Sequence, residues 1–461
     1  MSDSNQIIVA STNDATTVAT TDEHPHQENH SDRTDVDSNI SDTTENITCD
    51  PNGKHMDRED SIYSGVSYSS KLSFTSRIYN LVIEDATKNF HPVYFVSIMG
   101  TGISSSILYN FPFEAEWLRV CSYIMFAFTC LFFLGTTTLF ILSCKYFPGR
   151  FREYHVDTSK AVFMGCYSMG YITIVNYIEI LTHDRHTIFV WVLWWIAVFS
   201  AMFTAFIIVF FSFMSKLNKV DTAAKLNATL LLPIVAITVV SSSGHQLELR
   251  LPTMNQTVIT MLVSFMLWCL SISLAFIIIT IYFWRLIVHK IPPTHLVFSS
   301  FLPVGFLGQS SYSILLMGIN LDVLIPSDQP WGKILLCICG FFSMFLLSFG
   351  YFMTFVAISS IFSKIRPFAK NPNPKHTNQH GFLKIHKGFW AMTFPLGTMS
   401  LSNTEIGKGT IGNYPLITFR VMGAIFGTAC ILVTVSCIIG VIVTIVKKLN
   451  SLFIRRQISI V

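Results

Sequence analysis

The sequence has 461 residues, 51% of them hydrophobic and only 13% charged, with a mean hydropathy of +0.51. An ordinary soluble protein carries roughly 25% charged residues, so a water-soluble fold is excluded for most of this chain. The net charge of +4 is unevenly spread: residues 1–91 hold 16 acidic and 6 basic side chains, which leaves +14 on the remainder, so an acidic polar segment is joined to a basic, strongly apolar body.

Residues 1–60 are rich in Asp, Ser, Thr, Asn and His with almost no aromatics. Such a composition cannot bury enough apolar surface to offset the entropy of ordering, and it predicts a disordered acidic cytoplasmic tail. His24, His26, His30 and His55 with Cys49 match no zinc-ligand spacing, so no metal or cofactor is predicted. No basic stretch followed by a short apolar core opens the chain; a cleavable signal peptide is not expected, and the first span serves as the insertion signal. Residues 61–90 regain aromatics and read as a juxtamembrane segment with a short amphipathic helix lying on the bilayer.

From 91 to 446 the chain alternates apolar runs with short polar loops. Ten spans are predicted, near 92–111, 118–143, 161–182, 187–213, 228–247, 257–284, 296–318, 332–362, 387–403 and 415–446. Residues 447–461 follow as a short basic cytoplasmic tail. Placing both termini inside leaves 19 Lys and Arg on the cytoplasmic side and 6 outside, so the positive-inside rule selects that orientation. Eight of the ten cysteines fall within the apolar runs and behave as small hydrophobes. The predicted fold class is an all-α membrane protein whose partners are the lipid bilayer and a small solute, with no nucleic acid among them.

Odd and even spans differ in kind. Internal proline occurs only in odd spans, at Pro92, Pro233, Pro303 and Pro395. The same spans concentrate small polar residues: MGTGISSS (99–106), GCYSMGYIT (165–173), VVSSSGH (239–245), PVGFLGQSS (303–311) and FPLGTMSLSN (394–403). The even spans read as Phe, Leu, Ile and Val throughout. The odd spans begin about 70 residues apart, the last interval being lengthened by loop 364–387, a pattern that describes five tandem helical hairpins.

A helix broken by Gly or Pro exposes backbone groups that a membrane tolerates only against protein or a water-filled path. The odd helices are therefore expected to form an inner ring around a pore and the even helices an outer ring facing lipid. Close helix packing alone also uses small-residue stripes, and for a single span would be the better explanation; five spans at fixed spacing favour the pore. The expected lining is Gly100, Gly102, Ser104, Gly165, Gly170, Ser241, Ser242, Ser243, Gly244, Gly305, Gly308, Gln309, Gly397, Thr398 and Ser400. No acidic residue stands mid-span, Glu179 being near a span end, so a lining of hydroxyls and amide dipoles with flanking cations suits a small anion. His245, Arg119, Arg285, Lys387 and Arg420 lie at span ends, where interface anchoring and anion attraction are equally good readings. The chain has no GxxxxGK[ST], HExxH or GxSxG signature, so neither ATP drive nor enzymatic catalysis is expected.

The segments HPVYFVSIMGTGISSSILYNFPF (91–113), LRVCSYIMF (118–126), VVSSSG (239–244), IYFWRL with KIPP (281–293) and KGFWAMTFPLGTMSLSN (387–403) resemble the tellurite-resistance/dicarboxylate transporter family, in particular its fungal sulfite-exporting branch. That family also holds the plant guard-cell anion channels. The resemblance covers about 90–446. It implies a plasma-membrane anion transporter with five inner helices around a central pore, assembled as a homo-oligomer, often a trimer with one pore per subunit. It also implies a gate made by a phenylalanine before a proline in the ninth span, here Phe394-Pro395. Export of sulfite or bisulfite, conferring sulfite resistance, is the function it implies. Carriage of a C4-dicarboxylate such as malate, or an anion channel, is the alternative within the family. A membrane receptor or scaffold is the alternative outside it, disfavoured by loops too short for a signalling domain.

Overall fold

A computed structural model describes residues 86–182, 185–214, 227–293, 296–365, 387–412 and 414–458. The chain divides into two units, residues 1–71 and 72–461, and every described residue lies in the second. The predicted acidic tail with its His24, His26, His30, Cys49 and His55, nearly all of segment 61–90 and most of loop 364–387 lie outside the described residues.

The described residues form an all-helical fold. Helix α1 (Val96–Tyr109) continues a 3-10 turn, Pro92–Phe95, and is followed by α2 (Glu116–Tyr146). Two short helices, α3 (Arg150–Val156) and α4 (Thr158–Ala161), lead into α5 (Met164–Thr182). Helix α6 (Thr187–Met202) runs on through π-helical turns to Met214. Then come α7 (Leu232–Leu247), α8 (Met254–His289), α9 (Leu302–Leu324), α10 (Trp331–Phe362), α11 (Trp390–Gly407) and α12 (Ile417–Ile458), the last extending through much of the expected C-terminal tail. Among the described residues eight helical segments, those containing α2 and α5 to α10 together with α12, are long and apolar enough to cross a bilayer. Helices α1 and α11 fall short of that measure, being short and diluted by Gly, Ser and Thr.

The prolines do not break these helices as the sequence led us to expect. Pro233 and Pro303 occupy the first turns of α7 and α9, and Pro92 opens the 3-10 turn before α1. At a helix start the missing N–H would have had no intrahelical acceptor, and the fixed φ already suits the helix. Pro395 alone stands inside a helix, and α11 continues through it.

Helix α1 packs on α5, α5 on α7, α7 on α9, α9 on α11, and α11 again on α1; each also lies against the helix after it, α2, α6, α8, α10 and α12 respectively. The best apolar windows of the segments holding α5, α7 and α9 are 67 to 89% buried, against 11 to 39% for those of α2, α6, α8, α10 and α12. Lipid tails are as apolar as leucine, so such helices associate through close packing and hydrogen bonds rather than through hydrophobic burial. Both devices are present. A Cβ on Gly308 would lie 2.9 Å from the Met399 backbone nitrogen, which requires glycine where α9 meets α11. Ser311 hydrogen-bonds Ser402 of α11 at 2.6 Å and Ser343 of α10 at 2.8 Å. Ser104 of α1 reaches Thr434 of α12 at 2.9 Å.

Candidate functional site

A cavity of about 720 Å³ is lined by residues of α1, α5, α7, α9 and α11. Ile103, Thr173, Val239, Gln309 and Phe394 are the lining residues farthest back along their helices, so they mark its inner end. Residues beyond the ends of these helices line its mouth: Glu114 and Lys408, Arg250 in the 3-10 turn Glu248–Arg250, and Arg119 and Arg420 in the first turns of α2 and α12. Phe394, one of the residues at the inner end, is 3% exposed.

Polar side chains of the cavity wall are tied across helix boundaries. Gln309 Nε2 donates to Ser242 Oγ, linking α9 to α7, and Ser243 Oγ donates to Asn176 Oδ1, linking α7 to α5. Gln246 Nε2 donates to the Tyr312 hydroxyl at 2.9 Å. Bonds of this kind hold the rotamers of a polar lining in place and leave no helix free to rotate its stripe away.

Charge at the mouth is nearly balanced. Glu114 faces Arg119 at 3.6 Å, Glu179 faces Arg250 at 3.3 Å and Glu405 faces Lys408 at 2.7 Å. Among the described residues Arg420 has no carboxylate partner. Its Nε and Nη2 donate to the Pro112 carbonyl at 2.8 and 2.6 Å, and its guanidinium lies 5.0 Å from the centre of the Phe113 ring. A carbonyl positions a guanidinium without neutralising it, so, leaving His245 aside, the lining's Glu, Lys and Arg side chains sum to one positive charge. Before the other end of α1, burial and then the neighbouring Lys387 and Lys160 push His91 down to about 4. A positive local field disfavours the imidazolium there.

Of the lining and gate residues anticipated from the sequence, Phe394 and Gln309 line the cavity, as do the span-end residues Arg119, His245 and Arg420. Pro395 stands behind Phe394 and presses on α9, where a Cβ on Gly305 would come within 3.1 Å of its ring. The other anticipated residues stand at helix contacts. A Cβ on Gly100 would meet Thr393, on Gly102 Thr173, on Gly165 the Leu232 carbonyl, on Gly170 Ile98, on Gly244 Ser264, and on Gly397 Ile103. Ser241 donates to the Ser264 carbonyl at 2.7 Å and Ser400 to the Gly423 carbonyl at 2.7 Å, and a Cβ on Gly308 would come within 2.9 Å of Thr398 Oγ1.

Several wall residues escaped sequence reading: Asn176, Gln246, Tyr312, Asn320 and Glu405, and behind them Glu248. The signal for one of these was available, since His245 and Glu248 have the i, i+3 spacing that places side chains together on a helix.

A family model described as voltage-dependent anion channel matches residues 89–442. The chain is 68% identical over 369 residues to the sulfite efflux pump SSU1 of Candida albicans, a match covering 80% of this chain and 77% of that protein. It is 34% identical over 402 residues to the sulfite efflux pump SSU1 of Saccharomyces cerevisiae, covering 77% and 87% respectively. A third similar protein, the sulfite efflux pump SSU1 of Arthroderma otae, is 29% identical over 352 residues.

Proposed function

Since the chain belongs to the voltage-dependent anion channel family, we propose that it exports sulfite, as bisulfite, from the cytoplasm and so confers sulfite resistance. The observation that carries this reading is the 68% identity, over four-fifths of the chain, to a protein named as a sulfite efflux pump. It is a transporter and not an enzyme. The cavity supports the reading chemically: its wall offers amides, hydroxyls and one unneutralised cation, which suit a monoanion held loosely enough to leave again. A C4-dicarboxylate would call for two fixed cations, and Arg420 is the one unmatched cation of the described lining.

In this proposal the chain crosses the plasma membrane ten times with both termini cytoplasmic. Helices α1, α5, α7, α9 and α11 form the inner ring, and their partners face lipid. The cyclic packing of those five helices and their greater burial support the arrangement. The Gly and Ser stripes set the spacing of the ring, Phe394 backed by Pro395 is its gate, and Gln309 lines the path above it. Assembly as a trimer follows the family resemblance. The driving force is the membrane potential: a cytoplasm-negative potential expels a monoanion with about 2.3 kcal/mol per 100 mV, so a passive path suffices. Deleting the gene should make cells sulfite-sensitive and raise internal sulfite; unchanged tolerance and unchanged efflux would refute the assignment.

A further inference from the structure

The cavity wall contains one ionisable arrangement that the transport reading leaves unused. His245 Nδ1 stands 3.0 Å from Glu248 Oε2, and both side chains are wholly closed to solvent. Asn320 Nδ2 donates to the other carboxylate oxygen, Glu248 Oε1, at 2.6 Å and to the His245 carbonyl at 2.6 Å, so α9 braces the pair from the side. His245 is a lining residue of the cavity, yet its Nε2 is buried without a hydrogen-bond partner. Buried polar atoms are nearly always satisfied, so an orphaned imidazole nitrogen is a feature to be explained.

We propose that His245 and Glu248 form a proton-binding site in the wall of the cavity, and that its proton favours an anion inside. The inference rests on reading the cavity as an anion path. Donation of Nδ1–H to the carboxylate fixes the tautomer and leaves the lone pair on Nε2. With the ring neutral, Glu248 is a buried carboxylate held only by dipoles, which is costly. A proton taken from cavity water onto Nε2 converts the two side chains into a buried ion pair of zero net charge. No bond between heavy atoms changes: the N–H bond forms as the O–H bond of a hydronium breaks, and water is released. The wall thereby loses one negative charge. An anion in the cavity stabilises the protonated state, and by reciprocity the proton tightens the anion.

The surroundings do not mask this charge. The ionisable groups at this end of the elements packed against α7 are Tyr177 and Glu179 on α5, Tyr312 and Asp322 on α9, and Arg250 in the 3-10 turn Glu248–Arg250. Glu179 and Arg250 pair with each other, and Tyr312 is engaged by Gln246. Helix α6, its π-helical extension, the 3-10 turn Ala228–Leu231 and the opening turns of α8 contribute no ionisable group. On α11, Glu405 is balanced by Lys408.

Sulfite efflux is measured side by side for the wild type and His245→Gln at matched pH from 5.5 to 8; the substrate's own protonation cancels in the ratio. The variant's flux relative to wild type should fall roughly three- to tenfold from pH 8 to pH 5.5, as linkage of one proton allows. A ratio constant across the range overturns the proposal. Where the variant does not fold or sulfite is not carried, the wild-type full-length protein, labelled with ¹³C-histidine in detergent, is titrated with and without nitrate, a monoanion throughout. His245 should titrate in this range and do so at higher pH with nitrate present. A resonance that does not titrate, or one indifferent to nitrate, overturns the proposal. Absence of sulfite flux together with a nitrate-sensitive His245 would overturn the sulfite assignment and leave the proton site standing.

Discussion

Replacing Phe394 by alanine is expected to raise anion conductance, and the structure sets the scale of the effect. In a closed core, Phe→Ala leaves a void and costs about 3–5 kcal/mol, which would lower expression and flux together. Phe394 instead borders a cavity of about 720 Å³ that water can extend to fill. The cost then reduces to lost apolar burial, about 1.5–3 kcal/mol. A hydrated anion squeezing past the phenyl ring gives up hydrogen bonds that an apolar surface cannot replace, about 1–3 kcal/mol for a polar group without a partner. Removing the ring removes that share of the barrier, which corresponds to roughly 5- to 150-fold more flux per folded molecule. Phe394→Leu keeps an apolar plug and should raise flux less. The assay is single-channel or liposome conductance, normalised to correctly folded protein by gel filtration. Reduced or unchanged conductance per folded Phe394→Ala molecule would refute the gate.

Three further outcomes follow from other parts of the fold. Gly308→Leu should abolish both transport and assembly of the fold, because its Cβ would meet the Met399 nitrogen and the Thr398 carbonyl carbon at 2.9 Å, and backbone cannot yield as a flexible side chain does; Ile278→Leu on the partly exposed face of α8 should leave flux within a factor of two, an expectation checked in the same liposome assay. Arg420→Gln should lower flux roughly two- to fivefold at low ionic strength, with the difference vanishing at high salt, because an exposed charge contributes about 0.3–1 kcal/mol and is screened. His91 is pushed down to about 4 from 6.5, so the folded state resists its protonation; its stabilising effect is complete above pH 6.5 and is lost as pH falls toward 4, and thermal unfolding in detergent should show a shallower pH dependence for His91→Asn in that window, with no change in flux between pH 6.5 and 8.

Much of the architecture was legible in the chain because the bilayer imposes a length and an apolarity that one dimension records. The Gly and Ser stripes pointed to the five helices that pack in a cycle; the roles expected of Phe394 and Gln309 on an anion path are proposals that their place in the cavity lining supports. Their neighbours were misjudged where a residue type serves two geometries. Pro233 and Pro303 looked like breaks within spans because a 3-10 turn precedes each α-helix, and only the structure shows that they stand at its first turn. The glycines read as lining have their missing Cβ atoms turned toward neighbouring helices. Glu248 and Glu405 fall just past the predicted spans 228–247 and 387–403, and sequence does not record whether a polar residue there turns to water or inward. The 3-10 turn Glu248–Arg250 carries Glu248 back against His245, and Glu405 stays on α11 beside the cavity.

The central claim is tested most directly by sulfite flux through the purified full-length protein in liposomes, with a potential imposed and malate run in parallel. Potential-dependent sulfite efflux well above that of protein-free vesicles, and exceeding malate efflux, is the predicted result. Sulfite flux no greater than in protein-free vesicles, or malate carried in its place, would contradict the account.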